Sequence, residues 1–199
     1  MTKKNYDMFG SGSNFKERVF HDYDQLLEKV ASCKKEGLKV VLTSGTFDLF
    51  HIGHSRYLER AKECGDVLIV GVDSDKKVSK NKGPHRPIVD ENERMEILCH
   101  CRHVDMVFLK KNSDSKWHFI KAVQPDVLIA TQRVYEEKDL IGLDNYCGEI
   151  IVLKSQAITS TTAKIRRILI SPVEEVKERL EKAINDVYVF LDSLTKGGE

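Results

Sequence analysis

The stretch that decides the reading is GTFDLFHIGH, residues 45–54. A short β-branched apolar run, KVVLTSG (39–45), leads into it, and a helical segment, HSRYLERAKECG (54–65), follows. The run reads as a buried strand closed by glycine. The helical segment turns Tyr57, Leu58 and Ala61 to one face. Two histidines three apart, His51 and His54, therefore stand between a strand and its helix. Four readings are open: a metal site, a catalytic dyad, a phosphate cradle, or a polar turn whose histidines cap local backbone. As metal ligands the pair is incomplete. HCRH at 100–103 offers His100 and His103 in the same spacing, so a four-histidine zinc site can be drawn, but no acid or cysteine cluster accompanies it at zinc-site spacing. Gly45 and Gly53 let backbone approach a ligand closely. The reading places His54 at a helix N-terminus, where outward-pointing amides favour anions. Amide and imidazole donors around a concavity suit a polyphosphate.

Outward from this stretch, strands and helices alternate. Helical patterns cover 22–36, 54–65, 90–101, about 117–123, 161–170 and 172–194, the last opened by Pro172. Strand-like runs cover 39–45, 67–72, 106–109, 127–130 and 150–153. Continuous apolar strands alternating with helices predict an α/β fold with a parallel sheet sandwiched by helices. In such sheets ligands bind beyond the carboxyl ends of the strands, which is where His51 falls. The expected organisation is a flexible lead over 1–19, one domain over 20–171, and a C-terminal helical extension over 172–199. In that extension Val173, Val176, Leu180, Ile184, Val187 and Leu191 make an apolar stripe that fits the core or a second subunit.

The bulk properties narrow the function. The 199 residues carry a net charge of +1, which gives no global field for nucleic acid or an anionic membrane. No apolar run approaches the ~20 residues of a membrane span, and the N-terminus lacks the apolar core of a secretory signal. Five irregularly spaced cysteines read as reduced thiols, so the expected compartment is the cytoplasm.

Two further constellations bear on chemistry. SKNKGPHRPIVDENER (79–94) sets Lys80, Lys82, His85 and Arg86 in what reads as a glycine- and proline-containing loop, with Arg94 on the helix beyond. A charge run is commonly a solvated face. This one leaves the same sheet edge as His51, and convergent cations beside a phosphate cradle serve phosphoryl or nucleotidyl transfer. AITSTTAKIRRI (157–168) sets Ser160, Thr161 and Thr162 at a helix start. One hydroxyl there is an ordinary cap, whereas three can also hold phosphate oxygens.

Together these strings resemble a known family. GTFDLFHIGH is similar to the signature of the HxGH nucleotidyltransferases, the cytidylyltransferase-like family, and ITSTTAKI (158–165) to its second motif; the similarity spans roughly residues 38–170. DLFHIGHSRYLERAKECGDVLIV (48–70) resembles glycerol-3-phosphate cytidylyltransferase, and DENERMEILCHCRHVD (90–105) the choline-phosphate enzyme. The helix ahead of the first strand and KGPHRPIVDENER (82–94) look more like the adenylyltransferase domain of the ADP-heptose synthases. The resemblance implies a Rossmann-like sandwich, a homodimer, and Mg²⁺ accompanying the nucleotide. It implies transfer of a nucleoside monophosphate from CTP or ATP to a phosphorylated small molecule, with pyrophosphate leaving and no metal bound by the protein itself. CTP is slightly favoured at this stage. A nucleotide-binding regulatory protein without turnover is the alternative of another class.

By the same resemblance His51 and His54 hold the triphosphate, with Lys82 and Lys80 meeting it from the other side and Arg94 near the nucleotide. Thr46 and Phe47, after Gly45, offer backbone amides, and Ser160, Thr161 and Thr162 hold the β- and γ-phosphates. Asp48 and Asp66 are candidates for orienting the site or contacting the acceptor. The glycerol-phosphate branch carries an arginine where Ser155 stands and acids where Thr131, Gln132 and Arg133 stand. Exchanging an acid for guanidinium favours an anionic acceptor, so Arg133 is an acceptor candidate and glycerol 3-phosphate is not expected to be the substrate.

Overall fold

The structure, a computed structural model, describes residues 15–115, 117–131, 142–154 and 161–196. The described part begins with one helical turn, α1 (Phe15–Arg18), and a two-residue strand, β1 (Val19–Phe20). The expected lead is thus too long: residues 15–19 belong to the folded unit. Arg18 explains why, because it is buried and its guanidinium donates to the carbonyls of Asp105, at 3.0 Å, and Val104. A single arginine between Glu17 and Val19 gives no periodic signal that would reveal this.

The remaining elements follow in order. They are α2 (Tyr23–Lys35), β2 (Val40–Gly45), α3 (Ile52–Lys62), β3 (Val67–Asp73), α4 (Asp75–Lys82), α5 (Glu91–His100), β4 (Met106–Lys110), α6 (His118–Val123), β5 (Val127–Thr131), β6 (Glu149–Leu153) and α7 (Thr161–Lys196). Side-chain caps start four of these helices: Asp22 accepts from Asp24 N, His51 from Gly53 N, Ser74 from Lys77 N and Asp90 from Asn92 N.

The six strands pair in parallel in the order β1-β4-β3-β2-β5-β6, a Rossmann-like α/β arrangement. Side chains alternate between two cores. On one face Val40, Leu42, Ile69, Phe108 and Leu128 pack with Leu26 and Val30 of α2 and Phe119, Ile120 and Val123 of α6. On the other Val41, Leu68, Val70, Val107 and Ile129 pack with Leu58 and Ala61 of α3 and Met95, Leu98 and Cys99 of α5. Leu58 and Leu98 are fully buried, each worth about 1.5–3 kcal/mol relative to exposure.

The chain runs outward from β2 through β3 to β4, then returns to place β5 on the other side of β2. The strand order therefore reverses at β2 and β5, and parallel sheets of this kind hold their ligands beyond the carboxyl ends at such a point. Thr43 ties this point together. Its Oγ1 lies 2.6 Å from the Tyr57 hydroxyl of α3 and donates to Ile129 O of β5 at 3.2 Å.

Two helical readings change. Residues 75–82 form α4 rather than a loop, so Lys80 and Lys82 sit on its last turn. The expected helices at 161–170 and 172–194 are one helix, α7, which continues through Pro172. Proline removes one N–H from such a helix, and the turns on either side keep it continuous. The chain divides into two compact units, 1–158 and 159–199.

Candidate active site at the carboxyl end of the second strand

The turn after β2 is unusual from its backbone upward. Phe47 and Leu49 have φ of 54° and 47°, the left-handed region that costs a bulky residue about 1–3 kcal/mol. Between them Asp48 is almost wholly buried. Phe47 folds its ring back over Gly45, where a Cβ would lie 3.1 Å from the ring. Gly45 is thus required first by Phe47, and only through it by any ligand. This revises the expectation that its free space faces a bound molecule.

His51 caps α3 with extended backbone (φ −148°, ψ 170°). Its Nδ1 accepts from Gly53 N at 3.1 Å, and its carbonyl accepts from His54 N at 2.8 Å. The helix therefore begins at Ile52, earlier than the expected start, with His54 inside its first turn. An Nδ1 that accepts an N–H carries no proton, so the ring proton of neutral His51 is on Nε2. The two imidazoles stack at 3.8 Å, 18° apart, and His54 also lies 5.4 Å from the Phe47 ring and 5.5 Å from the Phe50 ring. These two aromatic neighbours, with His51, pack around the His54 ring.

The second wall comes from α4 and α5. Lys82 Nζ donates to Thr46 Oγ1 at 2.8 Å. Burial pushes the Lys82 ammonium below its ordinary pKa, and the nearby Arg86 charge adds to the effect. Arg86 Nε donates to Asp48 Oδ2 at 2.8 Å, and the amides of Ile88 and Val89 reach the same carboxylate at 3.1 and 3.0 Å. Burial would raise the Asp48 pKa, but the two amides and Arg86 outweigh it and hold the carboxyl below its usual range. Arg94, fully buried, donates to Thr46 O at 2.5 Å, Asp73 O at 2.9 Å, Asp75 Oδ1 at 2.6 Å and Val89 O at 2.9 Å. Asp75 and Glu91 cap each other's helices: Asp75 N donates to Glu91, and Glu91 N to Asp75.

The expected residues therefore separate into groups. His51, His54, Thr46, Phe47 and Lys82 converge on the end of β2. Lys80 is exposed on the last turn of α4. Arg94 supports the turn from beneath: its bonds go to backbone and Asp75, so any part it plays near the nucleotide runs through the turn that it holds. Asp48 likewise spends its carboxylate on Arg86 and two amides, so it holds the site together rather than facing an acceptor. Asp66 is at the other end of the sheet, where its carboxylate accepts from Lys39 N at 2.8 Å, ahead of β3. A residue that precedes a parallel strand cannot line the crevice beyond its carboxyl end, and its candidacy is withdrawn. Thr161 and Thr162 open α7, in the second compact unit. Ser160 and Arg133 lie outside the described residues.

The four histidines of the zinc reading lie at two separate places in the fold. His100 and His103 lie 3.9 Å from Glu96 and 3.8 Å from Glu59, where α5 hands over to β4 at the amino edge of the sheet. Among the described residues no three histidine, cysteine or acidic side chains are grouped to hold a metal ion. No helix among them is long and apolar enough to cross a membrane.

One group had no sequence signal. Lys110, at the end of β4, reaches across to Asp73 at 3.2 Å, where Lys77 also arrives at 3.4 Å. Burial pushes Lys110 down in pKa against the pull of Asp73. The pairing of β3 with β4 brings Lys110 to Asp73, whereas Lys77 lies four residues after Asp73 in sequence.

Comparison with known proteins agrees with this geometry. The cytidylyltransferase-like family model matches residues 42–168. The bifunctional protein HldE of Ectopseudomonas mendocina is 39% identical over 155 residues, and that of Aliarcobacter butzleri 37% identical over 158. These alignments cover 76% and 79% of this chain but 32% of each relative, so the chain spans about a third of the length of the curated relatives it matches. The crystal structure of a lipopolysaccharide core biosynthesis protein from Thermoplasma volcanium superposes with a TM-score of 0.54 at 28% identity, covering 61% of this chain and all of that one. With the strand order, the histidine cap and these matches in agreement, the chain belongs to the cytidylyltransferase-like family of nucleotidyltransferases.

Proposed function

We propose that this chain transfers the nucleoside monophosphate of ATP to a phosphorylated sugar and releases pyrophosphate. The observation that carries the reading is the first turn of α3. His51 is held as an Nε2–H donor by its own cap and stacked on His54, opposite Lys82 on Thr46. An acceptor phosphate is already ionised at neutral pH, so attack on the α-phosphorus asks for positioning and charge stabilisation rather than a general base. His51 and His54 would donate to the triphosphate as charge develops, and Lys82 would leave Thr46 to meet it from the facing wall. Thr46 and Phe47 amides, Lys80, Ser160, Thr161 and Thr162 remain candidates for the other phosphate oxygens, and Arg133 for the acceptor.

The slight preference for CTP gives way to ATP. The similar proteins are HldE sequences, and the KGPHRPIVDENER spacing resembles the adenylyltransferase domain of ADP-heptose synthases. A heptose-like sugar phosphate is the acceptor class this favours, in the cytoplasm. Mg²⁺ fits as a companion of the nucleotide: Asp48 and Asp73 are already occupied by cations and amides, so phosphate oxygens would supply most of its ligands. The apolar stripe of α7 has Val173, Val176, Leu180 and Val187 all more than half exposed, at spacings of three, four and seven. That suits a second copy of the chain, and we take the active form to be a homodimer.

Thermal stabilisation by ATP, CTP, UTP and GTP, each with Mg²⁺, tests the nucleotide. ATP is expected to raise the melting temperature most. Pyrophosphate release over sugar 1-phosphates, glycerol 3-phosphate and phosphocholine tests the acceptor. Preference for CTP with phosphocholine or glycerol 3-phosphate would overturn the reading.

A further inference from the structure

We infer that Asp48 is a positioning residue for Lys82: it clamps the segment between α4 and α5 so that the lysine faces the phosphate cradle. This deepens the proposed function and rests on it. The clamp has two jaws. One is the β2 turn, residues 46–49, bent by left-handed backbone at Phe47 and Leu49. The other is the segment from Gly83 to Asp90 that joins α4 to α5. Asp48 is the chief tie between them, taking Arg86 Nε at 2.8 Å, Arg86 Nη2 at 2.6 Å, Ile88 N at 3.1 Å and Val89 N at 3.0 Å. A second tie is Lys82 itself, on Thr46 Oγ1 two residues before Asp48.

The geometry has a functional consequence. Lys82 is the last residue of α4, and Gly83 follows with φ of 97°, so the helix stops and the chain is free to choose a new direction there. The ties of Asp75 to Arg94 and Glu91, of Lys77 to Asp73, and the burial of Val78 hold the first two turns of α4. Asp48 holds the chain beyond the last turn, at Arg86, four residues after Lys82. A carboxylate so placed costs desolvation, which two amides and two guanidinium N–H groups on Oδ2 offset in place of a substrate group. The lowered carboxyl pKa agrees with that full set of donors. When a nucleotide draws Lys82 off Thr46, the Asp48 tie remains and keeps the lysine within reach.

The test uses Asp48→Asn, Arg86→Gln and Lys82→Ala in the intact chain. Hydrogen exchange at the Ile88 and Val89 amides reads the clamp without any ligand. Exchange is expected to speed up at least ~10-fold in Asp48→Asn, since the charge-assisted bonds weaken. Unchanged exchange overturns the inference. Turnover is expected to fall by ~10–10² in Asp48→Asn, the usual penalty for displacing a catalytic group by about an ångström. The double variant Asp48→Asn/Lys82→Ala is expected to be no slower than Lys82→Ala alone, because both act through one group. Losses that multiply, or a rise confined to the acceptor KM, overturn it and return Asp48 to the acceptor. Arg86→Gln repeats the series if Asp48→Asn does not fold. Wild-type protein that is stabilised by no nucleotide refutes the proposed function; faster exchange in Asp48→Asn would still support the clamp.

Discussion

His51 and His54 bracket the first turn of α3, and His100 and His103 bracket the end of α5; both pairs have the spacing H-x-x-H. At 51–54 the rings stack on each other, the first serves as a helix cap, and Phe47 and Phe50 fix the second. At 100–103 the rings point to separate partners, Glu96 and Glu59, through solvent-exposed contacts near 4 Å. The residue types are equal, but the fields are not. A helix N-terminus presents outward N–H groups and attracts anions, whereas a C-terminus presents carbonyls and attracts cations. One pair faces the carboxyl edge of a parallel sheet, where such folds keep their ligands; the other faces the amino edge. What an H-x-x-H can do is decided by which end of the strand it follows.

The largest expected effect tests this directly. His54→Ala is expected to lower turnover by ~10²–10³, the typical cost of losing one preorganised donor to developing charge, with the fold retained. His51 carries two jobs, and they can be separated. His51→Ala loses the cap as well as the donor, so its stability falls by about 0.5–2 kcal/mol. His51→Asn keeps a capping oxygen for Gly53 N, so stability returns while turnover stays low. Steady-state rates and urea unfolding on the three variants decide it. Turnover restored in His51→Asn would mean that the histidine serves the backbone only.

Arg94 sharpens the comparison from inside the carboxyl edge. Its side chain is fully buried and gathers the Thr46, Asp73 and Val89 carbonyls with Asp75. Arg94→Ala strands the buried Thr46 carbonyl and takes a donor from the part-buried others, and a loss of about 1–3 kcal/mol is expected. Denaturant unfolding measures it. A loss below 1 kcal/mol, with turnover abolished, would move Arg94 back to the nucleotide.

The contrast between Arg94 and Lys82 shows what sequence could tell. Both stand in one basic string, and the sequence alone points both toward substrate. The turn GTFDLFHIGH, the parallel sheet and the place of His51 are local patterns, legible from spacing and strand ends. The downward path of Arg94 depends on Thr46 and Asp73, 48 and 21 residues away, and no local pattern encodes it. α4 did have a signal: Ser74 followed by Asp75, with Gly83 at the far end, is a cap-and-stop pair. It was obscured because Val78 is the helix's one buried residue, and the mutual caps of Asp75 and Glu91 supply the rest. Asp66 misled for a related reason, since proximity in sequence to β3 says nothing of which end of the strand matters.

Lys82 yields a smaller and oppositely signed effect on stability. Its pKa is lowered by burial, chiefly, and by Arg86. A lysine whose folded pKa lies below its unfolded value opposes folding while protonated. That cost is fully present at neutral pH and is relieved as pH rises through the folded pKa toward the ordinary value near ~10.4. Lys82→Met is therefore expected to lose turnover while its melting temperature at pH 7 stays level or rises. The gain should shrink when melting is repeated at alkaline pH. A lower melting temperature at pH 7 would show that the bond to Thr46 outweighs the burial.

The smallest expected effect belongs to the other histidine pair. His100 and Glu96 are both more than half exposed, 3.9 Å apart, and His103 meets a half-exposed Glu59 at 3.8 Å. Exposed pairs at such distances contribute about 0–1 kcal/mol and are screened by salt. His100→Ala and His103→Ala are thus expected to keep turnover within about twofold and stability within ~0.5 kcal/mol, with a slightly larger deficit in low salt. Parallel turnover measurements and urea titrations at low and high salt are sufficient. If His100→Ala or His103→Ala slowed turnover as strongly as His54→Ala, position along the sheet would not be what distinguishes the pairs, and a role for all four histidines in one centre would have to be reopened.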